Sequence, residues 1–330
     1  MSNVAEGIDT FWRWWNASKD DLASAIAEHS LDGWVEPISE NVKAMHPDLA
    51  WELGPGLDAQ HQLCVTGEGN PELRVVTERW LARAPKADAV WEYHPARQPS
   101  PGTRELSLKL DGVDLDFDAL QIEIEPDDVR RLLHITAHHP KLTEVGEEHR
   151  LTAAFLYLNE VLGEDDLDRF VGSIDISPAP LQRTASLEDL RASISELDEA
   201  SESFTLLQGK TEDGMPILVM ANLGLKRLDH LLMDTHVEIV IPYPANESGL
   251  YAPAVGEELD AMEDALLEAL GHDAVFIGHE TGLGQRVIHL HVVAGGPALP
   301  RIEEWERNHP AWEIDVEAVH DPQWDILDRW

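Results

Sequence analysis

GQRVIHLHVVAGG, residues 284–296, alternates in the manner of a β-strand. Side chains on a strand point to opposite faces in turn, so Ile288, Leu290 and Val292 share one face while Val287, His289, His291 and Val293 share the other. The first set is a core face. The second carries two imidazoles, and the strand therefore raises the question of chemistry as well as of fold.

The stretch before it, DAVFIGHETGLGQRVIHLHVV (273–293), reads as a hairpin around Gly282 and Gly284. Further upstream, HVEIVIPYP (236–244) is a second strand with Val237, Ile239 and Ile241 on its core side and His236 and Glu238 opposite. If the two strands are neighbours in register, His236, Glu238, His289 and His291 share one sheet face. Two imidazoles at i, i+2 with a carboxylate are a donor set for zinc or another divalent metal. The same residues equally suit a mixed polar face packed against another part of the molecule, and this reading is preferred because no third ligand is secure. No catalytic residue is assigned, no cofactor is expected, and the metal set of His236, Glu238, His289 and His291 is kept as the alternative.

The rest of the C-terminal region fits around these strands. FTLLQGKTEDGMPILVMANLGL (204–225) is a hairpin turning at Asp213-Gly214, GEELDAMEDALLEALG (256–271) and PRIEEWERN (300–308) are helices, and WEIDVEAV (312–319) is a final strand. Before them, SPAPLQRTASLEDLRASISELDEASES (177–203) reads as a linker holding one helix, with Leu187, Leu190, Ile194 and Leu197 at helical spacing. This gives an N-terminal domain over 1–176, a linker over 177–203 and a C-terminal domain over 204–330. In the first, helical patterns cover Ser18–His29, Val35–Ala44, Pro71–Ala84 and Glu147–Leu162. Strands are expected near Trp51–Leu53, Gln62–Thr66, Val90–His94, Leu106–Leu110, Val113–Ile124 and Leu132–His138. The fold class expected is α+β, as two ferredoxin-like α/β sandwiches with mainly antiparallel sheets and helices on one face.

Sixty-three acidic residues against 24 basic ones give a net charge of −39, which repels phosphate backbones and anionic membrane surfaces. Nucleic-acid and membrane binding are disfavoured, leaving a solvating surface or recognition of a basic protein. No stretch has the length and apolarity of a membrane span and no secretory leader is evident, so a cytoplasmic protein is expected. The one cysteine, Cys64, excludes an internal disulfide and reads as a buried structural residue. Seven tryptophans lie between Trp12 and Trp91 and four between Trp305 and Trp330, so aromatic anchors sit towards both ends. In FWRWW, Phe11, Trp14 and Trp15 share a helical face suited to core packing. His134 and His138 share a strand face with Thr136 and suit structural hydrogen bonds.

Two resemblances bear on function. Residues 287–293 resemble the strand of the histidine-triad nucleotide hydrolases, with Val287 where the first histidine stands; the likeness implies His289 as nucleophile. From about Phe204 onward, DGMPILVMAN, GEELDAMEDALLEAL, FIGHETGLGQR and HDPQWDIL resemble the bacterial domain of unknown function 695 family, through Asp213-Gly214, Asn222, Glu263-Asp264, Arg286, Asp321-Pro322 and Trp324. Relatives accompany domains like ribonuclease E inhibitor protein B, an acidic regulator, which implies protein binding by analogy. The N-terminal region resembles only uncharacterised bacterial proteins, through HPDLAWELG and WLARAPKADAVWEY. The expected function is a protein-binding or regulatory module, with a metal-dependent or histidine-triad-like hydrolase using His289 and His291 as the alternative.

Overall fold

A computed structural model describes residues 2–100, 107–199 and 204–330. Leu106 and residues 200–203 of the expected linker lie outside them. The chain divides into two units, Met1–Pro126 with Leu132–Asp198, and Asp127–Arg131 with Glu199–Trp330. Together they are mixed α+β, with seven α-helices among the described residues and mainly antiparallel sheets. No described helix is long and apolar enough to cross a membrane.

The N-terminal unit opens with α1 (Ser2–Ala27), α2 (Val35–Met45), β1 (Ala50–Pro55), β2 (His61–Thr66), α3 (Pro71–Leu81) and β3 (Trp91–His94). Four of its seven tryptophans, Trp12, Trp15, Trp80 and Trp91, are core. Trp15 stacks on Phe11 one turn away (centroids 6.1 Å apart), and Trp12, stacked on Trp80 at 4.7 Å, donates its indole N–H to the Trp80 carbonyl at 2.8 Å. Trp12 thus joins Phe11 and Trp15 in the interior, whereas Trp14 stays partly buried. Cys64 is buried in β2, and burial pushes its thiol up.

Next come β4 (Ser107–Leu110), β5 (Val113–Asp116), β6 (Gln121–Asp127), β7 (Leu132–His138), α4 (Glu147–Phe170), β8 (Val171–Ile176) and α5 (Leu187–Glu199). The strand expected over Val113–Ile124 is two, because Asp116 caps a 3-10 turn at Phe117–Ala119 by accepting from the Asp118 N–H. Within the described residues this unit has three sheets, β1-β2-β3, β4-β5 and β6-β7-β8, where the sequence suggests one sandwich. The cause is local: α3 returns β3 parallel to β2, and α4 returns β8 parallel to β7, so each strand pair closes with its own crossover. His134 meets the Ser173 hydroxyl at 2.9 Å and His138 Nδ1–H donates to the Ser177 carbonyl at 3.0 Å. The helix expected inside a linker is α5, and its Leu190, Ile194 and Leu197 are buried with Leu133, Ile135, Leu158 and Phe170. It is a core element of the first unit.

The C-terminal unit contains β9 (Thr205–Lys210), β10 (Pro216–Ala221), β11 (Thr235–Pro242), α6 (Pro253–Leu270), β12 (Ala274–Gly282), β13 (Gln285–Val292), α7 (Ala298–Arg307) and β14 (Asp315–His320). Its six-stranded sheet runs β14-β11-β13-β12-β10-β9 with every neighbour antiparallel. Helices α6 and α7 cover one face, where Val237, Ile239, Ile241, Ile288, Leu290 and Val292 meet Leu259, Leu266 and Ile302. The β12–β13 hairpin turns through Leu283 (φ 55°) and Gly284 (φ 80°), the left-handed pair that a primed turn requires. The β9–β10 hairpin uses Gly214 (φ 82°) at the expected position.

Candidate functional site

Register decides what the histidine strand does. β11 pairs with β13 so that His236 is opposite His291 and Glu238 is opposite His289. The four residues singled out in the sequence therefore share the sheet face away from α6 and α7. His236 Nε2 and His289 Nδ1 are 3.1 Å apart, one ring donating to the other, and the two rings are nearly parallel at 13°. Glu238 stands further off, its Oε2 4.0 Å from His289 Nδ1.

The segment that follows β14 covers His289 and His291 on this face, while His236 and Glu238 stay partly exposed. Trp324 stacks on His291 with centroids 4.3 Å apart, and Trp330 meets His289 edge-on at 5.4 Å. Both histidines are 0% exposed. The Met233 carbonyl accepts from Trp324 Nε1 at 2.9 Å and from His291 Nδ1 at 3.2 Å, which puts the proton of His291 on Nδ1. Its Nε2 faces Asp321 Oδ2 at 3.4 Å without a well-formed hydrogen bond. His289 Nε2 also has no hydrogen-bond partner. Glu280 Oε1, 3.8 Å away, is taken up by Trp330 Nε1 at 2.9 Å and Arg329 Nε at 3.2 Å.

Burial pushes the His289 imidazole down to about 3, helped by the positive potential of His236 and Arg329. Burial likewise lowers His291 to about 4 against the opposing pull of Asp321, and lowers His236. Burial thus disfavours the charged form of all three rings. Among the described residues no group of three His, Cys, Asp or Glu side chains has the arrangement to hold a metal ion. The cavity beside Glu280, lined by Ile217, Gly282, Leu283, Gln285 and Val287, is about 40 Å³, room for a water molecule and far below a substrate pocket. Larger clefts of about 410 and 350 Å³ lie in the N-terminal unit, and their linings contain none of His236, Glu238, His289 or His291.

A second polar cluster lies under the helices. Arg286 is 1% exposed on the core face of β13, with Nη1 2.7 Å from Asp260 Oδ1 and 3.8 Å from Glu263 Oε2. Glu263, buried on α6, accepts His279 Nδ1–H at 2.8 Å, while Arg286 Nη2 reaches the Tyr251 hydroxyl at 3.4 Å. The sequence signal was available: Arg286 falls in phase with Ile288, Leu290 and Val292, and Glu263 falls in the apolar stripe of Leu259, Met262 and Leu266. A charge at a core position demands a partner, and here Asp260 holds Arg286, His279 holds Glu263, and the two buried charges face each other at 3.8 Å.

The third feature is an uncovered margin. Leu206 is opposite Met220, which is opposite His279, so Leu206 belongs to the helix-bearing face but lies two strands beyond β12. Leu206 is 81% exposed, Phe204 45% and Leu218 39%, with the Phe204 ring 5.4 Å from that of Phe276. Among the described residues β9 pairs with β10 alone, leaving its outer backbone edge open.

Residues 209–328 match the sequence model of a family of unknown function, DUF695. The match takes in the histidine face, the Arg286–Glu263 cluster and Trp324. A comparison with curated proteins gives no match.

Proposed function

We propose that this chain is a protein-binding module whose contact surface is the open β9 edge with its apolar ledge of Phe204, Leu206 and Leu218. One observation carries the reading: a strand that ends a sheet and displays a leucine at 81% exposure is a template for an incoming extended segment. Main-chain hydrogen bonds supply affinity in such a mode, and alternate side chains supply selectivity. The histidine face supports the same reading, since His289 and His291 are packed and shut off from solvent. A hydrolase acting through His289 and His291 would need substrate access that Trp324 and Trp330 block.

The βαββαβ succession from β11 to β14, with strand order β14-β11-β13-β12, supports a ferredoxin-like assignment for the C-terminal unit. The separate sheets of the N-terminal unit lend no such support there. The net charge of −39 favours a basic protein over nucleic acid or membrane as a heterologous partner, and the single buried Cys64 accords with a cytoplasmic setting. The test is capture from native lysate with the whole chain and with Leu206→Lys, followed by hydrogen exchange on the purified complex. Slowed exchange in β9 that the variant lacks supports the reading; capture indifferent to the variant and to β9 overturns it.

A further inference from the structure

We infer that the β9 edge pairs antiparallel with the β9 edge of a second copy, joining two C-terminal sheets across a twofold axis. The inference rests on the protein-binding reading of that edge and names its occupant. The argument is one of charge. In a chain of net charge −39, the twelve residues TLLQGK and PILVMA of β9 and β10 contain no acid, and their one charged side chain is Lys210. The edge itself thus offers a basic partner no carboxylate, and the charge elsewhere on the chain steers such a partner without holding it there. The edge is one of the places where two copies can approach without carboxylate meeting carboxylate.

The opposite end of the same sheet is built the other way. β14 exposes Asp315 and Glu317, the charged side chains by which natural sheets keep their edges from pairing. β9 carries one such charge, Lys210 at its end, and leaves Thr205–Gly209 without any, and an antiparallel edge is complementary to itself, because a twofold axis sets each free N–H against a free carbonyl of the other copy. The pairing also removes Leu206 and Phe204 of both copies from water. A six-residue edge with a small ledge falls short of the roughly 800 Å² per partner typical of tight complexes, so a reversible dimer of micromolar affinity is the expected product.

Sedimentation equilibrium on the full chain, in 0.1 and 0.5 M NaCl, tests this. The expected result is a monomer–dimer equilibrium that tightens with salt, because salt screens repulsion between two acidic bodies while the contact itself is apolar and main-chain. Leu206→Lys should weaken the dimer by about thirtyfold or more by placing an unpaired charge in the contact, whereas Val319→Lys at the β14 edge should leave it intact. Because Cys64 is buried, Gln208→Cys offers an independent readout: mild oxidation should yield a covalent dimer, and adding Leu206→Lys should abolish it. A chain monomeric at 200 µM in both salts, with unchanged circular dichroism, overturns the inference. If that monomer still captures another protein through β9, the binding reading survives alone; if it captures none, both fall. A dimer insensitive to Leu206→Lys overturns the inference as well.

Discussion

Trp324 lies flat on His291, with ring planes 20° apart, and the Met233 carbonyl accepts a hydrogen bond from each. Trp324 is also 2% exposed and left-handed (φ 61°, ψ 42°), a conformation a bulky residue holds only where its surroundings over-determine it. The stack therefore does two jobs. It anchors the segment after β14, and it keeps water from the imidazole.

Truncation should undo both. Trp324→Ala is expected to cost about 3–5 kcal/mol, the usual range for a buried tryptophan, measured by urea denaturation. In the folded fraction, an NMR titration should find His291 moved up from about 4 towards the ordinary histidine range as water enters. An unmoved His291 would mean that the strand neighbours, not Trp324, desolvate it.

Acid should destabilise the molecule well before its carboxylates titrate. The folded values of His289 (about 3) and His291 (about 4) lie below the unfolded value near 6.5, so between these limits the unfolded chain binds protons that the folded chain refuses. Stability is full above the unfolded value and falls as pH drops, with a slope on the order of 1.4 kcal/mol per pH unit for each histidine. Urea midpoints at pH 7, 6 and 5 should show the fall. His289→Gln, which keeps a hydrogen-bonding group for His236 and removes one titration, should make it shallower.

Glu263→Ala should be among the costliest single changes in the C-terminal unit, about 3–5 kcal/mol, since it strips the partner from His279 and leaves the exposed Asp260 as the one carboxylate beside Arg286. The double variant Glu263→Leu with Arg286→Met removes both charges and should recover much of that loss. A double variant no better than the single would show that Arg286 is held by Asp260 and Tyr251 without Glu263.

These residues also mark how far the sequence could be read. The alternation at 287–293 gives the two faces of β13, and the phase of Arg286 and Glu263 exposes two charges in the core, because periodicity is local. That His236 falls opposite His291 depends on β11 being the neighbour of β13, a pairing across about 50 residues that no local pattern specifies. The covering of the histidines by Trp324 and Trp330 is longer-range still. Conversely, α5 is legible as a helix, but its burial against Phe170 and Leu158 is not, since an amphipathic stripe says that a face is covered and not by what.

Zinc should leave the protein indifferent. Adding one to five equivalents of zinc, nickel or manganese is expected not to raise the melting temperature, because His291 Nδ1 is committed to Met233 and His289 Nδ1 to His236, and the remaining nitrogens are walled off by the two tryptophans. A stoichiometric rise lost in His289→Ala would restore the metal site suggested by the strand.

Salt separates two meanings of the charge. A net charge of −39 on 330 residues implies self-repulsion in the compact state, so the melting temperature should rise with added KCl. The shape of the rise is the informative part. If the acid merely repels itself, most of the gain should come by about 0.2 M, since the screening length is already about 8 Å at 0.15 M and shrinks slowly thereafter. If the acidic surface is fitted to a salt-rich interior, the increase should continue to molar KCl, well past the point where screening of neighbouring charges is complete. Comparing KCl with a non-ionic osmolyte of equal water activity isolates the two, because the osmolyte strengthens burial without screening. A curve that flattens early assigns the charge to repulsion tolerated for solubility; one that keeps climbing in KCl but not in the osmolyte assigns it to ion-dependent hydration.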